Sequence, residues 1–77
     1  KNAIPPVEAA NLVGIAYATE GNFKGAIESF EKARSLDEKE IAGDLNLASA
    51  QYASGAKEAA FATIDSAISK TEKTSRV

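Results

Sequence analysis

The 77-residue chain contains no cysteine, histidine, methionine or tryptophan. Without cysteine there is no disulfide to staple it, and no redox compartment can be read from it. The common zinc ligands, a thiolate nucleophile and an imidazole base are all missing, which removes most metal and nucleophilic chemistry. Charge of one sign is also lacking. Nine basic against eleven acidic residues leave a formal charge of −2. No single-sign block is long enough to suggest nucleic-acid binding or an acidic tail. The longest apolar run, Leu12 to Ala18, falls far short of the roughly 20 residues that cross a bilayer, and nothing has the form of a signal peptide. Beginning at Lys1 and holding no methionine, the chain is expected to be a processed product or an excised segment. Its length suits one small domain whose core is marginal, so tight helix packing, a partner or further repeats would help it.

What is present favours helix. Alanine, glutamate and lysine are abundant, there are only two prolines, and no stretch alternates as a strand does. Pro5 and Pro6 stand where a first helix begins, and Gly21 where it stops. Between them Ala10, Val13, Ala16 and Tyr17 recur at helical spacing. Phe23 to Leu36 repeats the pattern through Ala26, Ile27, Phe30 and Ala33. Asp37 with Glu40 reads as an N-cap and its capping partner, which predicts a third helix at once, ending near Ser54 before Gly55. A fourth helix is expected from Lys57 to Thr71, with Ala60, Phe61, Ile64, Ala67 and Ile68 on one side and frayed residues after it.

The two halves repeat each other at an offset of 34 residues. Val13 then pairs with Leu47, Gly14 with Ala48, Ala16 with Ala50, and Gly21 with Gly55. Ala26 pairs with Ala60, Ile27 with Phe61, Phe30 with Ile64, and Ala33 with Ala67. Small meets small and large apolar meets large apolar, the pattern of stacked helix pairs. Gly14 mid-helix costs roughly 1 kcal/mol against alanine, so a close helix–helix contact is expected there. Ala26 and Ala60 would be the hollows opposite, with Phe30 and Ile64 filling the volume between.

The stretch from Asn11 to Asp37 resembles a tetratricopeptide repeat. That pattern calls for Leu-Gly, Ala-Tyr, Gly-x-aromatic, Ala-Ile, an aromatic, Ala and Leu-Asp. They stand here as Val13-Gly14, Ala16-Tyr17, Gly21-x-Phe23, Ala26-Ile27, Phe30, Ala33 and Leu36-Asp37. The second copy is looser. It keeps Leu47-Ala48, Ala50, Gly55, Ala60-Phe61, Ile64 and Ala67, but has Gln51 and Lys57 in place of aromatics; after the Leu36-Asp37 of the first copy, Glu38 stands for the usual proline. The resemblance implies an all-α protein of four helices in tandem helix–turn–helix repeats. The expected division is a lead-in over 1–6, repeats over 7–40 and 41–74, and a tail over 75–77.

Candidate chemistry is thin. Gly21, Lys24 and Gly25 at a helix start suggest a phosphate cradle, but Lys24 precedes the glycine, no Ser or Thr follows, and the segment before it is helical rather than extended. The loop is expected to turn the chain. Glu28 and Lys32 form an i,i+4 pair on a solvated face, and Asp37, Glu38 and Glu40 suit a helix N-terminus better than acid–base work. Ser49, Ser54 and Ser66 have no histidine to activate them, and no spacing suggests a Ser–Lys pair. Ser75-Arg76-Val77 fits a loose pattern for peptides that add a strand to another domain, a pattern common by chance. No catalytic, cofactor or metal site is expected.

The resemblance implies a protein or peptide partner held on a concave face lined by the first helix of each repeat. The corresponding residues are Asn11, Leu12, Ile15, Thr19, Leu45, Asn46, Ser49 and Tyr52. The apolar ones would contact a ligand's side chains, and Asn11, Asn46 and Ser49 its backbone. In repeats that clamp the C-terminal carboxylate of a chaperone, Lys and Asn stand where this chain has Asn11 and Ile15, so an acidic tail is not the expected ligand. The alternative is a structural role, as part of a longer array or as a homo-oligomer, with self-association through Phe61, Ile64 and Ile68.

Overall fold

The computed structural model describes residues 4–75. Its elements are α1 (Pro6–Thr19), α2 (Phe23–Leu36), α3 (Ala42–Ala53) and α4 (Lys57–Ser75), with no strand among the described residues. Residues 1–3 of the lead-in and Arg76-Val77 of the tail lie outside the described residues.

Pro6 takes the first position of α1, where its missing N–H costs nothing, and Glu8 places a negative charge in the first turn. Gly21 follows the C-cap residue Glu20, and its φ of 83° is open to glycine alone without penalty. Asn22 N–H then donates to Tyr17 O at 2.9 Å, and Gly21 N–H to Ala18 O, also at 2.9 Å. These two bonds satisfy carbonyls that the helix end would leave bare. Asn22 also opens α2, its side chain accepting from Gly25 N–H at 3.0 Å. One residue thus closes one helix and caps the next, which makes the turn short. Gly55, with φ 98°, repeats the geometry after α3, where Ala56 N–H donates to Gln51 O at 2.8 Å.

The link between α2 and α3 differs from the sequence expectation. Asp37 ends α2 in an extended conformation rather than capping α3, and its Oδ1 accepts from Lys39 N–H at 3.2 Å. With that side chain satisfied in its own turn, the third helix starts only at Ala42, whose N–H donates to Glu40 Oε1. The fourth helix also runs past Thr71, to Ser75. Neither glycine nor proline follows Gly55, and Thr71 Oγ1 bonds back to Ala67 O at 3.1 Å, so nothing in that stretch stops a helix already nucleated.

The helices pack as pairs, α1 with α2 and α3 with α4, and α3 seats across α2 and part of α1. The core between the pairs is Ala26, Phe30, Leu47 and Ala50, with Ala18 and Ile27 packed against it. Burying Phe30 and Leu47 contributes about 1.5–3 kcal/mol each; the alanines contribute close backbone approach instead. At Gly14 a Cβ would stand 2.4 Å from the Phe30 ring, which accounts for glycine in the middle of α1. Ala26 and Ala60 are fully enclosed, as hollows should be. Ile64 departs from its expected filling role. Unlike Phe30 it is exposed, as are Val13, Ala16 and Tyr17 on α1. No helix among the described residues is long and apolar enough to cross a membrane.

Candidate functional site

Two grooves divide the residues expected to bind a partner. The first lies where α1, α2 and α3 meet. Ile15, Ala18 and Thr19 come from α1, Phe23 and Phe30 from α2, and Asn46, Ser49, Ala50 and Ala53 from α3, around an open volume of about 270 Å³. Phe30 and Ala50 form an apolar floor, because they are also core residues. Asn46 and Ser49 form a polar rim, and among the described residues no charged side chain lines the groove. Thr19 is less available than its type suggests, since its hydroxyl donates to Ile15 O at 2.8 Å.

Asn11 and Asn46, 35 positions apart in sequence, meet across α1 and α3. Asn46 Nδ2 donates to Asn11 Oδ1 at 3.2 Å. Each amide is half-buried and keeps one further polar group, the Asn11 NH₂ and the Asn46 carbonyl, without a bond among the described residues. Leu12 is exposed beside them but lines neither groove.

The second groove, about 410 Å³, lies between α3 and α4 and is walled by Leu45, Ala48, Ser49, Tyr52, Ala60, Phe61 and Ile64. It unites residues of two expected roles: Leu45 and Tyr52 belong to the concave stripe, and Phe61 and Ile64 to the self-association set. The Tyr52 and Phe61 rings are 6.4 Å apart and tilted by 50°. Lys57 Nζ lies 5.7 Å from the centre of the Tyr52 ring, within range of a cation–π attraction. Ile68 is exposed on α4 outside this groove.

One charged cluster escaped the sequence reading. Asp44 is fully buried, with Oδ1 2.8 Å from Arg34 Nε and Oδ2 2.8 Å from Lys70 Nζ. Neither oxygen accepts a hydrogen bond of good geometry, so the two cations alone offset the loss of water around the carboxylate. Arg34 Nη2 also donates to Ser66 Oγ at 3.1 Å. A shallow groove opens over the cluster, but Glu31 and Glu38 line it beside the cations. Its charges are already matched, and it offers an anion little. The loop at Gly21 offers less, because the Asn22 side chain already takes the Gly25 N–H that a phosphate would need.

The sequence pattern of a tetratricopeptide repeat model matches residues 17–77. The chain belongs to the tetratricopeptide repeat family. Repeats of this family mediate protein–protein interaction and are typically non-catalytic. Comparison with curated proteins and with solved structures finds no match to the chain.

Proposed function

We propose that this tetratricopeptide repeat protein binds an uncharged, partly apolar peptide segment of another protein in the groove between α1 and α3. The observation that carries the reading is the character of that groove, an apolar floor with an amide and hydroxyl rim and no charge. Such a surface suits a chain whose apolar side chain enters over Phe30 and Ala50 while its backbone meets Asn46 and Ser49. Exposed Ile15 supplies the apolar wall from α1. The docked pair of helices also holds the site rigid, since its floor is the core of the molecule and cannot shift without unpacking it.

The test is a peptide display selection against the chain, followed by calorimetry of the selected peptides. Expected are apolar sequences of low charge whose affinity falls at least tenfold with Ile15→Asp and with Ser49→Arg. Leu36→Asp, an exposed site away from the groove, should leave affinity unchanged. Selected peptides that bind Ile15→Asp and Ser49→Arg as well as the parent would place the site elsewhere.

A further inference from the structure

The offset of 34 residues relates not only the two helix pairs but also what is covered to what is bare. Inside the molecule, α3 presents Leu47 and Ala50 to Ala26 and Phe30, leaving Leu47 1% and Phe30 3% exposed. The α1 counterparts of Leu47 and Ala50 are Val13 and Ala16. Val13 is 49% exposed, and Ala16 is exposed as well. On α4 the counterparts of Ile27 and Phe30 are Phe61 and Ile64, which are 56% and 38% exposed. One end of the chain therefore carries a bare copy of a ridge, and the other a bare copy of the groove which that ridge already fills once within the fold.

Charge is matched in the same way. The internal contact includes the ion pair of Asp44 with Arg34. Shifted by 34, those positions are Ala10 on α1 and Ile68 on α4. A charge is replaced by an apolar side chain on both sides of the contact. Had only one side changed, docking would bury an uncompensated charge. With both changed, Val13 and Ala16 offer α4 an exposed apolar edge at the spacing that Leu47 and Ala50 use against α2. Ala10 beside them is apolar but already buried within its own copy.

We propose that α1 of one copy docks in the α3–α4 groove of a second copy, in the register that α3 takes on α1 and α2. Continuity with the internal interface selects this occupant, because the required helix, apolar at the right three positions, is carried by the chain itself. The contact is heterologous, so each added copy leaves one ridge and one groove free, and copies extend head to tail rather than closing as a symmetric pair. It leaves the α1–α3 groove open except at Ser49, which lines both grooves, so Ile15→Asp rather than Ser49→Arg tells the two sites apart.

Sedimentation velocity from low micromolar to near-millimolar concentration should show mass growing past a dimer. Val13→Glu and Phe61→Glu should each stay monomeric. Mixed in equal amounts they should form a one-to-one pair, because the first keeps its groove and the second keeps its α1. If either variant loses its helical circular dichroism, Ala16→Arg or Ile68→Lys takes its place on the same face. A parent chain that remains monomeric throughout, its bare faces then serving a helix of another chain, overturns the proposal. So does association that stops at a dimer and is not restored by mixing the two variants.

Discussion

Asp44 Oδ1 lies 2.8 Å from Arg34 Nε, joining α3 to α2 across the boundary between the helix pairs. The carboxylate has no exposed surface, whereas the side chain of Arg34 is 36% exposed, so the two partners do not depend on each other equally. Removing the acid frees two cations that reach water. Removing a cation strands part of a buried charge.

Asp44→Ala should therefore destabilise the fold by about 3 kcal/mol, the low end of the range for a broken buried pair, because Arg34 and Lys70 can both rehydrate. Arg34→Met alone should cost about as much, since it leaves Asp44 Oδ1 bare, and Arg34→Met combined with Asp44→Leu should recover most of the loss. Urea unfolding of the three variants decides it. A double variant no more stable than either single one would show that packing, not charge, governs the site.

Gly14→Ala should destabilise despite the higher helix propensity of alanine. The added Cβ would sit 2.4 Å from the Phe30 ring, and overpacking of about 1–3 kcal/mol exceeds the roughly 1 kcal/mol gained in propensity. Phe30→Leu in the same chain should relieve the clash and bring the two changes closer together than their separate costs add. Thermal melts of both singles and the double measure that coupling.

Ala26 is fully enclosed against the same core, so Ala26→Leu should cost about 1–3 kcal/mol by overpacking. Phe30→Ala should cost about 3–5 kcal/mol by opening a cavity, enough to unfold so small a protein. Melting temperatures within a degree or two of the parent would contradict this core assignment.

Gly21→Ala and Gly55→Ala should each cost about 1–2 kcal/mol, and by nearly equal amounts. An added Cβ meets nothing within 4 Å at either position, so the penalty is that of the positive φ alone, and asparagine should recover part of it at both.

An acidic peptide ending in a free carboxylate should bind the α1–α3 groove no better than its amidated form. Among the described residues no cation lines that groove, so the terminal charge would be dehydrated without compensation. Calorimetry of the two forms tests this, and a tenfold preference for the free acid would refute it.

The fold was largely legible because its determinants are local or periodic. The glycines at 21 and 55, the prolines at 5 and 6 and the offset of 34 residues each act through nearby backbone or through repeated packing. The α2–α3 link was misread because Asp37 has two ways to satisfy its side chain, a cap or its own turn, and the composition of a short stretch does not rank them. The ion cluster at Asp44 has no catalytic or ligand spacing around it, and local composition alone makes such charges look like a solvated face. A signal was nonetheless there. Shifted by 34, Asp44 falls on Ala10, Arg34 on Ile68 and Lys70 on Leu36. Three charges stand where the other copy is apolar, and these three meet in space. The division of Leu45 and Tyr52 from Ile15 and Asn46 into separate grooves was not legible, because it depends on how far α4 leans over α3.

Among the described residues, no Cα atom of α4 comes within 8 Å of one in α1 or α2, and Arg34 of α2 reaches Ser66 of α4 through its side chain. Each helix leans on the next in the chain, with little support from beyond it. Such a molecule has no single interior that opens all at once. α4 can unwind while α1, α2 and α3 keep their shared contacts, and α1 can lift while α3 and α4 keep theirs, so amide hydrogen exchange should slow from both ends toward α2 and α3. The middle residues, Phe30 and Leu47, are then the last to meet water, and a protease would trim this protein from its ends before it could cut it in two.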